Sequence, residues 1–238
     1  MLKTVAPVKN VMALQDILDS LSNRGFGVPG IGLVHGRSGL GKTTAVTYLF
    51  NQINGIYVSL RTTDTATSLL SRIMDELGAQ PLTRVSKMVD FIIEQMSIHE
   101  RALFIDEADY LMGDVRMLET VRDLYDATNV PVVLVGMDQI ARRISTRKQF
   151  YNRISEWAEF RPADIDDVTV MAETLLKPEI RIDEELLDKL RMAASGELRR
   201  ITIGLKRIEK LADVNDLDFV TVADWGDAAF FGRMKESA

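Results

Sequence analysis

The sequence predicts an α/β protein with a parallel five-stranded sheet, followed by a small C-terminal lid that is all helical. Three observations predict this. Short apolar runs alternate with amphipathic stretches up to about residue 162. A glycine-rich turn, "HGRSGLGKTTA" at 35–45, separates the first apolar run from a helical stretch. Beyond residue 162 the apolar spacing becomes helical throughout, which places a boundary near Arg161 to Asp164. The expected division is an α/β core over 1–162 and a lid over 163–238.

Each element has its own signal. "VMALQDILDSL" (11–21) carries apolar residues at helical spacing and stops before the loop "NRGFGVPG". "IGLVH" (31–35) is short and apolar, a buried first strand. "TTAVTYLFNQI" continues from Lys42 as a helix to about Asn54-Gly55, and "IYVSL" (56–60) is the second strand. "ATSLLSRIMDELG" (66–78) and "VSKMVDFIIEQMS" (85–97) are helices, the first closed by glycine. "ALFID" (102–106) is the third strand, "VRMLETVRDLYDAT" (115–128) an amphipathic helix and "PVVLVG" (131–136) the fourth strand. "ISEWAEFRP" (154–162) supplies the fifth. In the lid, Asp166 and Asp183 are candidate N-caps, Gly196 separates two helices, and Thr221 caps a last helix through "ADWGDAAFF".

Composition narrows the function. The chain has no cysteine and two histidines, which excludes disulfides, thiolate metal sites and imidazole-rich metal clusters. Its N-terminus lacks a signal-peptide pattern and no apolar run reaches membrane-spanning length, so a cytoplasmic protein with no membrane partner is expected. The net charge of −6 argues against a uniformly basic surface, yet a local basic strip can still hold phosphates.

The spacing Gly36-x-x-x-x-Gly41-Lys42-Thr43, between a strand and a helix, is that of a phosphate-binding loop. Gly36, Gly39 and Gly41 free the backbone so that N–H groups of Arg37, Ser38, Leu40 and their neighbours can turn inward. The helix that follows presents its positive end through Lys42, Thr43 and Thr44. Lys42 would reach the β- and γ-phosphates of ATP, and the Thr43 hydroxyl would ligate Mg²⁺. "ALFIDEAD" supplies the acidic partners: Asp106 at the end of a buried strand for the metal, and Glu107 to polarise the attacking water.

Asp-Glu after an apolar strand resembles the AAA+ family of oligomeric ATPases, which implies a core of the P-loop NTPase type. In "VLVGMDQ", Met137 stands where that family has a polar sensor, and Asp138 either substitutes for it or caps a helix. The resemblance further implies a subunit-bridging arginine before the fifth strand, here Arg153 with Arg147 as second choice, and a lid sensor in "GELRRI", here Arg199 with Arg200 as alternative.

Within AAA+ proteins, residues 9–212 most resemble the ATPase subunits of DNA transposition, the B proteins of transposable phages and their bacterial relatives. "FIDEADYL" is similar to their "IIDEADHL", "FYNRI" to "FSRI" and "GELR" to "GALR". The resemblance implies an ATPase that forms rings or filaments on duplex DNA, without strong sequence preference, and serves a transposase. It places DNA contacts in "SLRTTDTAT" and "LTRVSK", at Arg61, Thr62, Thr63, Arg84 and Lys87, which otherwise read as solvated loop polars. A helicase loader or replication initiator, and a switch acting on protein alone, are the alternatives.

Overall fold

The computed structural model describes residues 1–232, so the last stretch of the expected lid, 233–238, lies outside the described residues. Contacts divide it into two compact units: residues 13–37 with 42–160, and residues 1–12 and 38–41 with the chain from 161 onward.

The larger unit is a parallel sheet wrapped by helices. Its elements are α1 (Lys9–Ser22, which begins in the other unit), β1 (Ile31–His35), α2 (Lys42–Gln52), β2 (Ile56–Ser59), α3 (Ala66–Glu76), α4 (Val85–His99), β3 (Leu103–Asp106), α5 (Val115–Thr128), β4 (Val132–Gly136), α6 (Ile140–Ser145), α7 (Lys148–Tyr151) and β5 (Ile154–Glu159). The strand order is β2-β3-β4-β1-β5, every pairing parallel. β3 and β4 are buried along their whole length, which is why they read as unbroken apolar runs rather than alternating ones.

Close approach of α1 to the sheet depends on Gly32. A Cβ there would lie 2.8 Å from the Ile17 side chain and 3.0 Å from that of Leu21. A capping box between Thr65 and Ser68 starts α3, and the Asp114 carboxylate accepts from the backbone of Arg116 and Met117 to start α5. Leu69, Ile73, Met88, Ile92, Leu118 and Val121 close one side of β3 and β4 in a continuous core.

Three features of this unit escape the sequence reading. Ala108–Gly113 forms a short 3₁₀ turn after β3, and α6 and α7 fill the stretch before β5. None is long enough to show a helical apolar period.

The smaller unit contains α8 (Ile165–Leu175), β6 (Arg181–Ile182), α9 (Glu184–Ala194), α10 (Leu198–Asn215), β7 (Phe219–Val220) and α11 (Val222–Trp225). It is helical as expected, with one addition: β6 and β7 pair in a two-residue parallel ladder, too short to leave a period in the sequence. The cap of α8 is Asp164 rather than Asp166. Extended backbone at Asp164 brings its carboxylate onto the Asp167 N–H in a capping box, while Asp166 lies in the first turn and pairs with Lys9. Thr221 does cap α11, but the helix ends at Trp225, where Gly226 turns the chain at φ +62°. Trp225 then stacks on Phe230 at 4.6 Å between ring centroids. No helix among the described residues is long and apolar enough to cross a membrane.

Candidate functional site

Parallel strands bring their C-terminal ends to one edge of the sheet. His35 of β1 is in register with Gly136 of β4, and Ser59 of β2 with Asp106 of β3. The glycine-rich loop, the acidic pair and Met137 therefore leave the sheet at the same edge, where ligands of open α/β sheets bind.

In the loop between β1 and α2, Gly36, Gly39 and Gly41 have φ of +155°, +85° and +83°. A Cβ on Gly36 would sit 2.7 Å from the Phe160 carbonyl oxygen. A Cβ on Gly41 would sit 2.8 Å from Leu198 Cδ1, so the loop tolerates no side chain at either place. The backbone thus has the cradle that a phosphate chain requires, ahead of an eleven-residue helix whose first turn holds Lys42, Thr43 and Thr44.

Lys42 folds over the loop. Its ammonium donates to the Gly36 carbonyl and, at 2.9 Å, to that of Arg37, and it touches Met137 Sδ at 3.7 Å. Burial holds its pKa below the usual lysine value, an effect that the charges of Asp106, Asp138, Glu107 and Asp109 oppose.

Asp106 is fixed from three directions. The Thr43 hydroxyl donates to its Oδ2 at 2.7 Å, the Tyr57 hydroxyl to the same atom at 3.1 Å, and the Glu107 N–H to Oδ1 at 2.8 Å. With 3% of its surface exposed, it is one of the few buried acids. Burial, then the Asp106 charge, drives the Tyr57 phenol well above its ordinary pKa, so it stays a donor.

Glu107 has φ +53°, a left-handed conformation unusual for a non-glycine residue, which turns the chain sharply out of β3. Its carboxyl pKa is raised, chiefly by burial and then by Asp106 and Asp109, and less opposed by Lys42. Such a shift suits a group that accepts a proton from water. Among the described residues no three His, Cys, Asp or Glu side chains converge as a metal cage. Thr43 and Asp106 fit instead the sparse ligand set that Mg²⁺ takes when phosphates and water complete its shell.

Two contributors were missed by the sequence reading. The Asp109 carboxylate accepts from the Met137 N–H at 2.6 Å, joining the 3₁₀ turn to the end of β4. Asp109 was visible as the last letter of "DEAD", but its partner follows from the sheet order. The second is Tyr57, which is in register with Phe104 and whose hydroxyl reaches on to Asp106, a contact that depends on the β2–β3 pairing.

The other expected positions are scattered. Asp138 does not cap α6: the residue at the cap is Gln139, without a side-chain bond. Arg153 lies at the opposite edge of the sheet, where its carbonyl accepts from Ile31 N at the start of β1. Its guanidinium grips both oxygens of Asp126, each at 2.6 Å, and donates also to the Gln149 carbonyl. Arg147 is exposed ahead of α7. In the smaller unit, the Arg199 N–H donates to the Gly39 carbonyl at 3.2 Å, while the Arg200 guanidinium stacks over Phe231 at 4.3 Å. Arg61, Thr62 and Thr63 are exposed in the loop after β2, where Arg61 N–H donates to Asp64; Arg84 and Lys87 are exposed at the start of α4, with Lys87 near Asp90 at 3.5 Å.

Comparison with known proteins agrees with this geometry. Residues 27–144 match the family model described as an AAA domain. The ORC2 protein of Aeropyrum pernix superposes with a TM-score of 0.70 at 16% identity, covering 93% of this chain and 68% of its own. The fold is that of an AAA+ P-loop NTPase. Cdc6p of Pyrobaculum aerophilum superposes with a TM-score of 0.64 at 18% identity, over 94% of this chain and 67% of its own. Domain III of the Thermotoga maritima replication initiation protein DnaA gives 0.54 at 18%, over 89% and 87%. In sequence, a Staphylococcus aureus protein described as a potential ATP-binding protein is 25% identical over 230 residues, covering 80% of this chain and 84% of its own.

Proposed function

We propose that this chain is a Mg²⁺-dependent ATPase whose bound ATP assembles it on duplex DNA and whose hydrolysis releases it. The observation that carries the reading is the constellation at one sheet edge: a side-chain-intolerant glycine loop, Lys42 above it, and Thr43 bonded to the buried Asp106 with Glu107 next in the chain. Gly36 to Thr44 would hold the phosphates through backbone N–H groups, and Lys42 would neutralise them. Thr43 and Asp106 would hold Mg²⁺, which would supply charge neutralisation when bound. Glu107 takes a proton from the attacking water.

Arg153 cannot serve its own loop from the far edge of the sheet, so its place in catalysis is the site of a neighbouring copy. That is what makes the assembly a ring or filament rather than a monomer. Asp138 balances the Lys42 charge, and Arg199 makes the lid responsive to nucleotide. Arg61, Thr62, Thr63, Arg84 and Lys87 contact DNA phosphates, giving salt-sensitive binding without strong sequence preference.

The finer role is DNA transposition, namely capture of target DNA and activation of a transposase; the blocks "FIDEADYL", "FYNRI" and "GELR" support it. A second reading, replication initiation, is favoured by the names of the structural neighbours, among which the ORC1 protein of Aeropyrum pernix was solved in complex with DNA. Duplex binding measured with and without ATP tests the common claim, which requires higher affinity with ATP; equal affinity contradicts it. Stimulation of a transposase then separates the two roles, because an initiator gives none.

A further inference from the structure

The densest basic stretch of this acidic chain includes Arg147, the second choice for a subunit-bridging arginine, together with basic residues that have no role so far. "ARRISTRK" (141–148) spans α6 and the start of α7, and Arg142, Arg143, Arg147 and Lys148 are all exposed. Among the described residues none of the four side chains has an ion-pair or hydrogen-bond partner. Other arginines do find carboxylates, among them Arg122 with Glu119 and Arg153 with Asp126, so acids were available to the fold without being placed here.

The three arginines line a groove of about 360 Å³ with Met112, Gln139 and Thr146. Arg142 and Arg143 are consecutive in α6, Arg147 follows the end of that helix, and all three open onto the same groove. Unpaired like charges that line one groove repel, and an anionic ligand relieves that cost. Met112 is the one apolar wall. A protein partner would be expected to meet an apolar centre, whereas nucleic-acid interfaces are polar and strongly positive. Guanidinium forks match phosphate oxygens two at a time.

We infer that this groove is a backbone-phosphate site for duplex DNA, additional to the loop positions after β2 and before α4. The inference rests on the DNA-binding reading above and extends it to a second stretch of the chain.

The test is duplex binding by the full chain across a salt series, with and without ATP, for the wild type and for Arg142→Ala/Arg143→Ala. Both side chains are exposed, and a melting curve unchanged from wild type verifies folding. Each lost phosphate contact reduces the slope of log affinity against log salt by about 0.9, so the double variant should lose roughly two units of slope in the ATP-bound condition. An unchanged slope overturns the groove while leaving the ATP-dependent reading intact. Equal wild-type affinity with and without ATP overturns that reading instead, and a slope loss in both conditions would then still uphold the groove. Duplex affinity that is unchanged in the variant, with loss only of self-association, would assign the groove to an acidic surface of a second copy and contradict the inference.

Discussion

Asp109 accepts the Met137 N–H at 2.6 Å, and Met137 in turn lies against the Lys42 ammonium at 3.7 Å. A carboxylate in the turn after β3 thus holds the end of β4, and through it the lysine over the glycine loop. Asp109→Ala should lower the turnover number more than it weakens ATP affinity, and should cost about 1 kcal/mol of stability, the ordinary worth of one such bond. Steady-state kinetics beside a urea titration checks this; a change in affinity alone would give Asp109 a different role.

Thr43 and Asp106 form the next pair. Thr43→Val removes the hydroxyl that bonds Asp106 but keeps the side chain's shape. ATP affinity should then lose most of its dependence on Mg²⁺, while the metal-free affinity stays near wild type. Titrations with Mg²⁺ and with EDTA give the two values directly.

Glu107→Gln should retain ATP, abolish turnover and accumulate the DNA-bound state. It should also change the pH dependence of stability. The folded carboxyl has its pKa raised above the ordinary 4.5. The wild type therefore binds a proton more readily folded than unfolded, and this contribution is complete below pH 4.5 and fades as pH rises through the folded value. At neutral pH the amide should melt slightly higher than wild type, and the gain should disappear at and below about pH 4.5. Melting curves at several pH values would refute this if the difference grew on acidification.

Asn10 spans three backbone groups. Its amide donates to the Leu40 and Arg161 carbonyls at 3.2 and 2.9 Å, and its oxygen accepts from Arg161 N at 3.0 Å. With the side chain buried, Asn10→Ala should cost about 1–3 kcal/mol through unsatisfied partners. Because Leu40 belongs to the glycine loop, ATP affinity should fall as well. Asn10→Asp should not rescue the lost affinity, since it cannot donate to either carbonyl.

Arg153→Ala should reduce turnover only where copies can meet. Nucleotide affinity should remain, and adding the Glu107→Gln chain, which binds ATP, assembles and keeps its arginine but has no turnover of its own, should restore part of the activity. Failure of that mixture to recover any activity would confine Arg153 to its pairing with Asp126.

The site was legible where chemistry is local in sequence. Gly36 to Thr43 and Asp106-Glu107 each occupy one short stretch whose residue types follow from phosphate and metal chemistry. Tyr57, Asp109 and Asn10 were not legible, because each acts on a partner 28 to 151 positions away, a distance closed only by strand order and helix packing. β1, β3 and β4 were readable because burial on both faces leaves unbroken apolar runs, whereas β2 and β5, only partly buried, were readable as short runs that alternate with helices. The 3₁₀ turn, α6, α7 and the β6–β7 ladder were not, being shorter than the period that would reveal them. Asp166 was read as the cap of α8 because it sits close to the apolar run; the bond to the Asp167 N–H that selects Asp164 is a matter of backbone angle.

Calorimetric titration of Mg-ATP into the folded chain tests the central claim most directly. Saturable uptake by the wild type, lost in Lys42→Ala without loss of folding, is the predicted result. No uptake by folded wild-type protein, or equal uptake by both chains, would contradict it.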